Sequence, residues 1–238
     1  MAYDFRSAGD PAAADVSENV DPGLREYMLR VYNFMVGGLI ASGLTGYAAA
    51  RTGFYQQIAG TPLIWIVMLA PLAAVFFLSF RIDRMTAAAA QLAFWIYAVL
   101  MGLSLSGIFL AFTGANIART FFVAAATFDA MSLYGYLTGR DLTTIGSFLF
   151  MGLIGILLAS VANLFVASPA LEFAISVIGV ALFVGLTAYD TQRIKEIYAA
   201  NDDAETLTRK ALIGALTLYL DFINLFVMLL HLTGERRS

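Results

Sequence analysis

Seven stretches of mostly apolar residues divide the chain, at roughly 31–50, 62–81, 91–113, 117–138, 144–167, 171–193 and 211–232. Each is close to the ~20 residues that an α-helix needs to cross the hydrocarbon core of a bilayer. The connections are short, apart from the polar segment IKEIYAANDDAETLTRK at 194–210. No repeat of fixed period is visible, and no linker interrupts the series. The pattern predicts an all-α membrane protein, with residues 23–238 forming one bundle of seven transmembrane helices.

The first 22 residues, MAYDFRSAGDPAAADVSENVDP, break the pattern. They are polar and acidic, without the basic-then-apolar order of a signal peptide, and read as a disordered cytoplasmic tail. Composition agrees with the spans: 60% of the 238 residues are hydrophobic and 13% are charged, against about 25% charged in soluble domains. A net charge of −3 gives nucleic acid no electrostatic footprint. The absence of cysteine rules out disulfides, thiolate metal sites and a cysteine nucleophile.

Lysine and arginine in the connections set the expected orientation. With the N-terminus in the cytoplasm, Arg6, Arg25, Arg30, Arg81, Arg84, Arg140, Arg193, Lys195, Arg209 and Lys210 lie inside, while Arg51, Arg119, Arg236 and Arg237 lie outside. Ten against four favours a cytoplasmic N-terminus and a C-terminus on the far side of an inner membrane. Small residues four apart, as in Gly38-xxx-Ser42-xxx-Gly46 and Gly155-xxx-Ala159, let membrane helices approach closely.

The last run contains a costly residue. In GALTLYLDFINLFVMLLHL (214–232) the single carboxylate is Asp221. Such a group at a helix centre costs roughly 2.5–3.5 kcal/mol on insertion scales, and marks a functional position unless it serves only as helix glue. Gly214, Thr217, Asp221, Asn224, Met228 and His231 recur at spacings of three and four and share one face. The sixth run carries a matching stripe of Glu172, Ser176, Gly179, Phe183, Thr187 and Asp190. Two such stripes on neighbouring helices should face each other or a wet cavity. The topology then places Asp190 and Asp221 within about 6 Å in depth. Close carboxylates share a proton, because both cannot ionise cheaply. Arg81 ends the second run beside this layer, and Pro71, ten residues earlier, removes a backbone hydrogen bond and can hinge that helix.

AYDTQRIKEIY (188–198) followed by ALTLYLDFINLF (215–226) resembles the C-terminal signature of the Bax inhibitor-1 family, the transmembrane Bax inhibitor motif proteins. FLSFRIDRM (77–85), LYGYLTGRDLTTIGSFLFMGLIG (133–155) and FAISVIGV (173–180) are similar to bacterial members. The resemblance covers nearly everything after the acidic tail. It implies seven helices with the C-terminal one central and wrapped by the other six, and a pH-sensitive calcium leak. By the same resemblance Asp190 and Asp221 match a paired-aspartate pH sensor, and Arg81 matches an arginine latch. Two departures stand out. Ala70 occupies a place that is acidic in some members, and Asp129, with Ser132 and Tyr136 on its face, occupies one expected to be small.

Calcium is a hard cation that takes oxygen ligands. Asp190 and Asp221 are its expected transient ligands, with Thr217, Asn224, Asp129 and Glu172 as further candidates to line the path. No cofactor is expected, and calcium enters as the permeant ion. An intramembrane aspartyl protease would also use two membrane aspartates. Tyr189-Asp190 fits the first half of its signature, but Leu218-Tyr219-Leu220-Asp221 lacks the Gly-x-Gly-Asp of the second. A retinal protein needs a lysine within its seventh helix, whereas Lys195 and Lys210 both flank the loop. No enzyme is expected. The alternative is a non-transporting regulator that binds and modulates a membrane-bound protease, a role the family resemblance also raises for bacterial members.

Overall fold

A computed structural model describes residues 21–235, and the regular elements among them are helices. In chain order these are α1 (Pro22–Arg51), α2 (Phe54–Ala59), α3 (Leu63–Arg81), a 3₁₀ turn (Ile82–Arg84), α4 (Ala87–Ala111), α5 (Gly114–Leu137), α6 (Thr143–Val166), α7 (Pro169–Glu196) and α8 (Ala204–Thr233). Of the expected tail at 1–22, residues 1–20, with Arg6, lie outside the described residues, as do the terminal Arg236 and Arg237, while Asp21 and Pro22 belong to the cap and first turn of α1.

The helices outrun the apolar stretches. α1 begins at Pro22, about nine residues before its apolar run, because Asp21 caps it (Gly23 N to Asp21 Oδ1, 2.9 Å) and proline suits the first helical position. Likewise α7 runs to Glu196, and Asp203 caps α8 through Thr206 N, so the polar connection shrinks to 197–203. The short α2 carried no periodic signal in the sequence.

Five helices are long and apolar enough to cross a membrane: α3 with its 3₁₀ turn, α4, α6, α7 and α8. The other two long helices, α1 and α5, are diluted by charged, polar and small residues. α1 carries Arg25, Glu26, Arg30 and four glycines after residue 30, and α5 carries Asn116, Arg119 and Asp129.

Burial places the centre at α8, where 56% of the most apolar stretch is buried, against 11% in α3 and α6. The expectation of six helices around it needs correction. α8 packs on α1, α4, α5 and α7, while α3 leans mainly on α4 and α6 on α7. α3 and α6 are nearly uniformly apolar and need only one protein neighbour, with lipid covering the rest.

Small residues set the closest crossings. A Cβ on Gly102 of α4 would collide with the backbone of Ser42 in α1, and one on Gly135 of α5 with the backbone of Ala188 in α7. Gly38, Ser42 and Gly46 are all buried on the same face of α1, as their spacing predicts. Gly155 has nothing near its missing side chain, so Gly155-xxx-Ala159 does not form the close helix contact expected of it.

Candidate functional site: a paired-carboxylate layer between two helices

α7 and α8 run antiparallel, and their small and polar stripes meet along the seam. At one level the side chain of Met228 fills the notch at Gly179, and nearer the other end Ile194 packs over Gly214. Between these two levels the carboxyl groups of Asp190 and Asp221 interact directly. Asp221 is 5% exposed, and its Oδ2 is buried without a hydrogen-bond partner. Asp190 is half-buried, and the cation acting on it is Arg193, one turn further along α7. A carboxylate pair in this position can hold a shared proton or a cation, since two adjacent negative charges out of water repel strongly.

Hydroxyl groups tie the neighbouring helices to this seam. Tyr32 of α1 and Ser132 of α5 are 2.5 Å apart, and Ser132 Oγ lies 3.0 Å from Thr191 Oγ1 of α7. Thr191 is the residue after Asp190. Toward the opposite end, Ser42 Oγ approaches the carbonyls of Gly38 (2.9 Å) and Ala98 (2.7 Å). Its one proton is committed to those carbonyls, so the Tyr219 hydroxyl, 2.6 Å away, donates to Ser42 Oγ. These bonds fix α1 and α4 against α8.

Residues 24–238 match the family model described as "Inhibitor of apoptosis-promoting Bax1". The chain belongs to the Bax inhibitor-1 family. It is 46% identical over 219 residues to the inner membrane protein YbhL of Escherichia coli strain K12, covering 90% of this chain and 94% of that protein. It is 47% identical over 226 residues to the uncharacterized protein RP147 of Rickettsia prowazekii, covering 93% and 94%. An uncharacterized protein of Caulobacter vibrioides is 43% identical over 236 residues, with 94% of each chain covered. This is a multi-pass membrane protein of the Bax inhibitor-1 family with bacterial relatives.

The other residues expected at the site of this Bax inhibitor-1 protein scatter. Arg81 is exposed at the end of α3. The salt bridges among the described residues are Arg30–Glu26 and Lys210–Asp202, so Arg81, the latch that the resemblance implies, makes no ion pair with Asp190 in this conformation. α3 packs on α4 rather than α7, which keeps its end away from the pair. Pro71 is buried inside a continuous α3. Glu172 lies in the first turn of α7, about 27 Å along the helix from Asp190, and does not join the layer. Asp129 is exposed in a separate cleft between α1 and α5. Thr217 and Asn224 flank Asp221 on α8, but Thr217 Oγ1 donates to Ile213 O (3.0 Å) and Asn224 Nδ2 to Leu220 O (2.9 Å) within the helix. No group of three or more His, Cys, Asp or Glu side chains converges among the described residues. The six candidate side chains named from the sequence therefore do not converge on one calcium site here, and Asp190 and Asp221 are the carboxylates available at this seam.

Several contributors were not singled out in the sequence. Arg193 and Thr191 flank Asp190 directly, and their closeness in sequence was the available signal. Tyr32 acts across helices, where a single chain gives no pairing signal.

Proposed function

We propose that the protein is a pH-regulated cation leak of the inner membrane that passes calcium, with Asp190 and Asp221 as its sensor and part of its path. The observation that carries this reading is the contact between the two carboxyl groups at the α7–α8 seam, with one oxygen of Asp221 buried and unpartnered. Helix packing alone gives no reason to place two acids together away from water. Seven helices crossing the bilayer, with α1 and α5 joining the five apolar spans, bring both ends of the seam to water. The excess of lysine and arginine puts the Asp190 end in the cytoplasm, and the name of the YbhL relative supports the inner membrane.

Gating follows from charge. Ionised Asp190 attracts a cation, and Arg81 is the candidate if the end of α3 swings inward about Pro71. Protonation of Asp190 abolishes that attraction and leaves α3 in its outer position, as in the present conformation. Calcium efflux from liposomes containing only this protein tests the reading. A leak that responds to pH and changes in Asp221→Asn supports it. No flux from folded protein would leave the regulatory role, through binding a membrane-bound protease.

A further inference from the structure

A second acidic position lies outside the α7–α8 seam. α1 and α5 both pack on α8 and leave a cleft between them, divided into two cavities that share Asp129. The lower cavity, about 870 Å³, opens beside Pro22, Arg25 and Glu26 and reaches Tyr32, Ser132 and Asp129. The upper one, about 450 Å³, continues from Asp129 along Val36, Ile40 and Leu44 of α1 to Phe121 of α5, over a floor of Phe222. Val36, Ile40 and Leu44 are half or more exposed, so this upper groove opens sideways to the surface that lipid would cover. Residues 35–44 span about 14 Å of helix, the scale of a long alkyl chain.

Asp129 stands where a polar inlet meets an apolar groove. Among the described residues its carboxylate forms no salt bridge, and Tyr32 and Tyr136 are the titratable groups beside it. At the mouth Glu26 is paired with Arg30, Arg25 is the cation among the described residues lining the lower cavity, and Lys195 sits over Tyr136. An ionised carboxylate in the span is stable when it has a counter-ion, and a chain packed above it excludes water from one side only. We propose that the cleft between α1 and α5 binds a cationic amphiphile, with a protonated amine on Asp129, hydrated through the lower cavity, and its hydrocarbon tail in the upper groove. The site does not include the Asp190–Asp221 pair, and its test does not require ion flux.

The test uses the full chain in phosphatidylcholine nanodiscs and three nitroxide-labelled probes of equal chain length: stearylamine, stearyl alcohol and stearic acid. Electron spin resonance reads the motionally restricted fraction of each. The amine should associate more strongly than the alcohol by roughly fivefold, and the acid least. Asp129→Asn should reduce the amine to the level of the alcohol. Ile40→Trp, which fills the groove and keeps the carboxylate, should displace the tail and lower the amine fraction. Equal association of amine and alcohol in the native protein would overturn the proposal, and needs no variant to be read. So would a preference that survives Asp129→Asn, which would mark ordinary lipid in the cleft, or a preference for the acid, which would assign the site to Arg25.

Discussion

Arg209, in the second turn of α8, donates from Nη1 to the carbonyls of Asp83 (3.1 Å) and Met85 (3.2 Å) in the turn that follows α3. Glu205, four residues earlier, accepts from Ala87 N at 3.2 Å. The cation that fixes the end of the outer helix α3 is therefore on the central helix, and Arg81 plays no part in that attachment here. Arg209→Ala should remove about 1–2 kcal/mol of stability and speed amide exchange across 82–87. Because these bonds hold α3 in the outer position assigned to the open state, the change should also lower the leak if α3 is the moving element. Unchanged exchange in that segment would show that the turn is held by its own backbone.

Asp221→Asn keeps the shape of the side chain and its capacity for hydrogen bonds while removing a charge. The variant should insert and melt as the native protein does, since the asparagine amide keeps a side-chain hydrogen-bonding partner for Asp190. Its calcium efflux and its response to pH should both change. A native leak with a native pH response would take Asp221 out of the mechanism.

The sign of the pH response follows from which form attracts Arg81. In the proposed mechanism ionised Asp190 draws the guanidinium inward and closes the path, and protonated Asp190 does not. Efflux should rise as the cytoplasmic side is acidified, then decline at still lower pH as protonated carboxyls bind calcium less well. Arg81→Ala should leak at all pH values and lose most of the acid response. Identical flux in Arg81→Ala and native protein from about pH 8 to about pH 6 would reduce Arg81 to a signal for orientation.

Stability at the crossings should be sensitive to single methyl groups. At Gly135 a Cβ would overlap the backbone of Ala188, and backbone cannot rotate away. Gly135→Ala should cost about 1–3 kcal/mol through overpacking. Gly155→Ala, where the space is open, should be neutral in the same thermal melt. Equal effects at the two positions would contradict the assigned helix faces.

The cap of α8 carries its own pH dependence. Asp203 accepts from Thr206 N at 2.6 Å, and these bonds to Thr206 hold its carboxyl below the usual carboxylate range. A carboxyl lowered on folding stabilises the fold above its unfolded value, about pH 3.9. That contribution is lost as pH falls through the lower, folded value. Fraying of the first turn of α8, read by amide exchange, should therefore set in only below about pH 4. Asp203→Asn, which keeps the capping oxygen, should abolish this dependence.

The helices were legible because each carries a long apolar run, and the Asp190–Asp221 pair because two stripes of small and polar residues have matching helical periods. Depth could be argued from topology alone. What was not legible depends on which helices become neighbours. The sequence places Arg81 and Asp190 at the same end of the bundle, but the lean of α3 onto α4 separates them. Glu172 shares a stripe with Asp190 and lies at its far end, since periodicity reports a face and not a height. Asp129 looked like a third member of the interior set. It is on the face of α5 toward the α1 cleft, and only the gap between those two helices reveals that.

α3 and α6 each have one main protein neighbour, whereas α8 has four. In mechanical terms the bundle is a fixed post with two loose staves. Displacing a stave breaks one main helix interface, and for α3 also the bonds of Arg209 at its end, while lipid refills the space at little cost because chains and apolar side chains are alike. Changes in bilayer thickness or lateral pressure therefore act first on α3 and α6. The central helix, enclosed on four sides, transmits little of that strain to the buried carboxyl of Asp221.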